Sequence, residues 1–240
     1  LVANMGYTGV FSKWHAFDKF YHFLMNRVDP IAPDFDPNEF DYYEGLHDRL
    51  ISIADEMIGI VLDNLNDDTD LIVISDHGLM ASRRAVWVNR LLAQHGYINC
   101  EMGPDGKGVV DWARTRAYVS AFMILNANLK GRDPEGIVEP GEEHESLKLE
   151  LIELLRGLKD PENGQHVMSE VFDPGKDGAF YGMGGPLDGD VRYFTNPGYT
   201  LYRSIAVDGD EVVTDVVGDW HGDHGSCRPT TRYGRGGEVG

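Results

Sequence analysis

The chain has 240 residues, 42% of them hydrophobic and 10% aromatic, which excludes a disordered, collagenous or coiled-coil protein. Its 40 Asp and Glu against 21 Lys and Arg leave a net charge of −19, a surface that repels polyphosphate backbones and anionic lipid. A nucleic-acid polymer is therefore not an expected partner, and no apolar run approaches the roughly 18 residues of a membrane span.

The acid is mostly Asp (25, with 15 Glu) and the base mostly Arg (14, with 7 Lys). That balance fits either a halophilic protein working in concentrated salt or an ordinary acidic one. Cys100 and Cys227 are the only cysteines, and without a CxxC pair a disulfide framework is excluded. A cytoplasmic setting is expected. The chain opens without Met inside an apolar stretch, Leu1-Val2-Ala3, and closes on Gly-rich sequence, so it reads as an internal piece of a longer chain.

In chain order, residues 1–11 read as a strand running into a loop, and 15–27 as a helix. Apolar side chains at Leu46, Leu50, Ile53, Met57, Ile58, Val61 and Leu65 keep the 3.6-residue period of an amphipathic helix over 41–65. A polar turn then feeds Leu71-Ile72-Val73-Ile74, whose unbroken β-branched run predicts a strand buried on both faces. A helix over about 86–94, closed by Gly96, a strand region over 116–128 and a second amphipathic helix over 141–158 come next. Beyond 161, short strands stand between Gly, Pro and Asp, with 199–207 the clearest. This alternation predicts an α/β layered fold with a largely parallel central sheet flanked by helices.

Three clusters carry the chemistry. Ser75-Asp76-His77-Gly78 stands directly after the apolar run, where α/β folds collect ligands. One carboxylate and one imidazole side by side suit Zn²⁺ or Mn²⁺, although a helix-capping Asp beside an unrelated His would look the same. Asp18 and His22, spaced i and i+4, share one helix face and could share a metal, or simply pair at the surface. Trp220-His221-Gly222-Asp223-His224-Gly225 places two His and an Asp in a glycine-flanked loop, and spacing alone leaves either His as a ligand. Arg83 and Arg84 could meet a phosphate or simply stand in solvent.

Taken in order, DxxxH, a strand ending in SDHG and a late GDH resemble the metal-binding motifs of the alkaline phosphatase superfamily, in its type I phosphodiesterase/nucleotide pyrophosphatase branch. Val88-Asn89-Arg90-Leu91-Leu92 with His95-Gly96-Tyr97, Val110-Asp111-Trp112, Thr115-Arg116-Ala117-Tyr118 and Asn128-Leu129-Lys130-Gly131-Arg132 are similar to segments of prokaryotic members. The resemblance implies that 1–240 is part of one such catalytic domain, with metal-site elements at 1–30, 70–96 and 218–228 and a cap or insert over about 97–200.

It further implies two divalent ions, zinc or manganese. Asp18, His22 and His224 would hold one, and Asp76 and His77 the other. His221, Asp223 and Arg83 would stand behind the ligands or face the substrate. The implied substrate is a small-molecule or nucleotide phosphodiester, attacked through a covalent phospho-Thr or phospho-Ser. The alternatives are another transfer of the superfamily (phosphomonoester, phosphonate or sulfate hydrolysis, or phosphomutase) and a catalytically inactive metal-binding module. The family's nucleophile and a further Asp ligand lie well upstream of DxxxH. Only 17 residues precede Asp18 here, and their hydroxyls at Tyr7, Thr8 and Ser12 stand in no nucleophile-like context. The nucleophile is therefore expected upstream of Leu1.

Overall fold

The structure, a computed structural model, describes residues 7–103, 108–202 and 210–224. Its helices are α1 (Ala16–Val28), α2 (Phe40–Leu62), α3 (Val88–Gln94), α4 (Glu142–Gly157) and the short α5 (Pro174–Asp177). Its strands are β1 (Met80–Ala81), β2 (Arg84–Trp87), β3 (Cys100–Met102), β4 (Gly108–Val110), β5 (Ala117–Ala121), β6 (Ile124–Ala127), β7 (Met168–Phe172), β8 (Val191–Thr195), β9 (Tyr199–Tyr202), β10 (Val213–Asp215) and β11 (Gly222–Asp223). They divide between two compact units, one built from the chain up to Ser82 together with Gly218–His224, the other from Arg83–Val217.

In the first unit, α1 buries His22, Met25 and Asn26, a single face at i, i+3 and i+4. Met25 packs with Ala32 and Ala81, and Tyr21, Val28, Phe35 and Leu79 close around them. Asp18 in the first turn and Arg27 in the last both lie favourably on the helix dipole. β1 pairs antiparallel with β11, Met80 opposite Asp223 and Ala81 opposite Gly222. This short ladder joins the segment after the SDHG motif to the segment holding GDH, about 140 residues later in the chain.

In this unit the buried strand expected at Leu71–Ile74 fails, while the helix expected over 41–65 is found. Leu71–Ile74 lies outside any strand, with Ile72 79% and Ile74 83% exposed. The periodicity over 41–65 does give α2, but no residue of it is buried, and Leu46, Ile51, Ile60 and Leu62 are exposed. Apolar patterning says that a face gains by being covered. The cover itself must come from another element: α1 covers part of one face of α2, with Tyr21 bonding His47, but none of the described residues covers Leu71–Ile74.

The second unit holds the main core. β5, β6, β8 and β7 form a four-stranded sheet in that order, antiparallel throughout. Leu147, Leu151 and Leu155 of α4, all fully buried, join Leu125, Val171, Val191 and Tyr193 of the sheet in one apolar cluster. Gly141, at φ 97°, starts α4, and Glu142, Glu143 and Glu145 fill its first turn where the dipole favours them. A three-stranded sheet runs β10-β2-β9, with β2 and β9 parallel.

The central sheet was expected to be largely parallel. The sheets found are mostly antiparallel, and for one pair the connection itself dictates it. β5 and β6 are joined by Phe122 and Met123 alone, with Met123 in the left-handed region at φ 58°. A two-residue turn can only return the chain antiparallel. Of the expected strand over 199–207, Tyr199–Tyr202 is β9 and the remainder lies outside the described residues, as does 1–6 of the expected first strand.

Ion pairs fasten α4 to the segment after β7. The Lys148 ammonium lies 2.6 Å from both Glu145 and Asp173, and that of Lys176 lies 2.6 Å from Glu145. Hydrogen bonds from Lys148 and Lys176 bring the Glu145 carboxyl down to about 2. A carboxyl depressed in the folded state adds stability in full above its unfolded value near ~4.3, and that contribution disappears as the pH falls toward about 2. The difference in melting temperature between the parent and Glu145→Gln should therefore be widest above about pH 5 and close near about pH 2. A gap that is constant over this range would refute the assignment.

Candidate metal centre

α1 presents Asp18 and His22 one turn apart, so the Asp18 Oδ1 and His22 Nε2 atoms face each other at 3.2 Å. His22 is buried, and its Nδ1 lies 2.7 Å from the Gly222 carbonyl oxygen. A carbonyl only accepts, so Nδ1 carries a proton and Nε2 is the ring atom turned to the Asp18 carboxylate. Two such acceptor atoms in apposition are favourable only with a proton or a cation between them.

The third donor arrives through β11. Asp18, His22 and His224 each offer a ligand atom within 4.8 Å of the others, and among the described residues they are the one group of three such side chains. One carboxylate and two imidazoles form a donor set suited to Zn²⁺ or Mn²⁺, and a backbone carbonyl behind the ligating His is the customary support for it. Burial lowers the pKa of His224, and the neighbouring His77 lowers it further, which favours the neutral, ligating form.

His77 stacks on His224, ring centroids 3.8 Å apart and planes 18° from parallel. Asp76 sits beside it, with Oδ2 3.6 Å from His77 Nε2. The same Oδ2 accepts a 2.7 Å hydrogen bond from the Lys13 ammonium, which is the main reason the Asp76 carboxyl is held below its usual range. All five side chains expected as ligands thus belong to the first unit, with three in mutual reach, His77 stacked on His224 and Asp76 beside His77.

The supporting residues differ in detail from a simple picture of groups behind ligands. His221 works through its backbone: its N–H donates to the His22 carbonyl (2.7 Å), and its own carbonyl accepts from Ser82 (2.8 Å). Its ring lies 3.7 Å from an Asp34 carboxylate oxygen. Asp223 accepts a hydrogen bond from the His224 backbone N–H at 2.9 Å, fixing the main chain at the ligand. Arg83 is exposed and belongs to the second unit, where its N–H bonds the Gly198 carbonyl. Arg84 pairs there with Asp160, Glu162 and Asp215.

Three contributors have no place in the sequence-based expectation. Trp220 stacks on His22 at 3.7 Å and covers the ring. Lys13 binds Asp76. Gly222 allows β11 to lie against α1, since a Cβ there would stand 2.3 Å from the Tyr21 carbonyl oxygen and 2.9 Å from Met25 Cβ. Trp220 and Gly222 flank the histidines within the GDH segment, so adjacency was the available signal. Nothing in the sequence links Lys13 to Asp76.

Gly222→Ala should accordingly push β11 off α1 and separate His224 from His22. Overpacking of this kind costs about 1–3 kcal/mol. The expected result is a lower denaturation midpoint together with loss of high-affinity metal binding, read by calorimetric titration. Parental values for both would show that the close approach is not needed.

The family model Type I phosphodiesterase / nucleotide pyrophosphatase matches residues 18–226, from Asp18 to just past His224. Comparison with curated proteins and with solved structures gives no significant match.

Proposed function

The chain belongs to the type I phosphodiesterase/nucleotide pyrophosphatase family, within the alkaline phosphatase superfamily, and from that premise we propose that it is the metal-binding part of a phosphoester hydrolase acting on a small-molecule or nucleotide phosphodiester. The observation that carries the reading is the apposition of His22 Nε2 and the Asp18 carboxylate, with His224 in reach of both. Asp18, His22 and His224 would hold one divalent ion, zinc or manganese, and Asp76 and His77 would contribute to a second. Ions bound there would polarise phosphoryl oxygens, offset charge on the leaving oxygen and acidify an attacking hydroxyl.

The chain's own groups have defined tasks in this reading. The Gly222 carbonyl keeps His22 in the Nδ1–H tautomer, Trp220 shields its ring, and the His221 backbone holds its carbonyl. The −19 charge is compatible with an anionic substrate, since bound divalent ions reverse the local sign at the site. Among the described residues, no helix is long and apolar enough to cross a membrane.

The test is a panel of phosphodiesters, nucleotides, phosphomonoesters and sulfate esters, supplied to the protein with Zn²⁺ or Mn²⁺. Preferential diester or pyrophosphate cleavage, lost on chelation, supports the reading. Preference for sulfate or monoesters would move the chain to another transfer of the superfamily, and metal binding without turnover on the complete protein would make it a binding module.

A further inference from the structure

We propose that Lys13 acts as a resident cation on Asp76, so that the second divalent ion must displace it and therefore binds after the first and more weakly. This inference rests on the assignment of Asp76 and His77 to a second ion. Lys13 stands in the irregular stretch before α1 and reaches Asp76, 63 positions later in the chain, with Nζ 2.7 Å from Oδ2. The two donor groups differ in this respect. Asp18 turns Oδ1 to His22, and the nearby Lys19 ammonium approaches only its other oxygen, at 3.6 Å, outside hydrogen-bond distance. At Asp76 the oxygen nearest His77 is the one that the ammonium holds.

The physical consequences come from charge and exposure. An ammonium and a divalent ion cannot share one carboxylate oxygen without strong repulsion, so the ion has to displace Lys13. Both partners are 56% exposed, and an exposed pair of this kind contributes little, so the lock is weak and reversible. The long, flexible lysine stem can swing into solvent without disturbing an element. Lys13 thus keeps Asp76 charge-compensated before loading and sets a threshold for the second ion, while the first site fills without competition from a hydrogen-bonded ammonium.

The test is calorimetric titration of the metal-stripped full chain with Mn²⁺ or Zn²⁺, with bound metal counted by elemental analysis. The parent should bind in two steps of unequal affinity. Lys13→Met should strengthen the second step about two- to fivefold, the range that an exposed ion pair represents, and leave the first unchanged. Lys13→Arg, which keeps the charge, should reproduce the parent. Overturning results are an unchanged or weakened second step in Lys13→Met, or an equal gain in Lys13→Arg. If the parent and Lys13→Met both bind a single ion that Asp18→Asn abolishes, the role of Lys13 fails while the first site stands. Binding of no ion by any of them would remove the metal centre itself.

Discussion

His224→Ala is expected to abolish tight metal binding and to lower phosphodiester hydrolysis by the complete, metal-supplied protein at least about hundredfold, the order seen when charge stabilisation at a reacting centre is removed. His224 is the one member of the three-donor group that does not come from α1, so removing it leaves Asp18 and His22 with a single helix face and no closure. Its position just past β11 and its partial exposure mean that the ladder and the α1 contact do not depend on its ring. Metal content should therefore fall while the far-ultraviolet circular dichroism and the melting temperature of the metal-free protein stay near parental. Because burial and His77 lower the pKa of His224, protons should begin to compete for its lone pair only below the ordinary histidine range. Undiminished metal binding and turnover in His224→Ala would sink the assignment.

Asp190→Ala is expected to be the most damaging substitution for the second unit. The carboxylate is buried, at 7% exposure, and hydrogen-bonding groups converge on it from three residues. Arg132 donates to both its oxygens at 2.9 and 2.8 Å, the Ala127 amide donates at 2.7 Å, and His144 Nε2 lies at 3.0 Å. Burial pushes its carboxyl up, yet the Arg132 and Ala127 hydrogen bonds leave it below the usual carboxylate range. Removing it strands the Ala127 amide and takes both carboxylate bonds from the guanidinium, which keeps only Asp133 and the Ala127 carbonyl. Breaking a buried pair costs about 3–5 kcal/mol, and the 39% exposure of the Arg132 side chain places this case at the low end. For a unit of this size, about 3 kcal/mol corresponds to a fall of roughly 6–12 °C in melting temperature. A fall of less than about 2 °C would show that water replaces the carboxylate without cost.

Neither Asp190 nor His144 stood out in the sequence, because a buried ion pair has no local pattern: His144 and Asp190 are 46 positions apart and meet only through packing. Trp14 and Trp112 make edge contacts with Phe17 and Tyr118 within the fold, which the sequence likewise does not show. By contrast, the helices were legible wherever local periodicity carries the information. The expected 15–27 and 141–158 became Ala16–Val28 and Glu142–Gly157, because spacing at i, i+3 and i+4 defines a helix face without reference to any partner.

Local chemistry in the sequence by itself determined the family, through DxxxH, SDHG and GDH in order, and it determined which donor types were on offer. Tertiary structure alone decided how they meet. The Met80–Ala81 ladder with Gly222–Asp223, and a glycine without a Cβ against the Tyr21 carbonyl, bring His224 to Asp18 and His22. The same distinction explains the sheets. Strand direction and burial depend on which distant segment lies alongside, and Leu71–Ile74 has all the patterning of a buried strand but no neighbour to pair with among the described residues. Length, composition and the −19 charge made a nucleic-acid polymer an unexpected partner. Where two imidazoles and a carboxylate converge is likewise decided by packing and not by the charge.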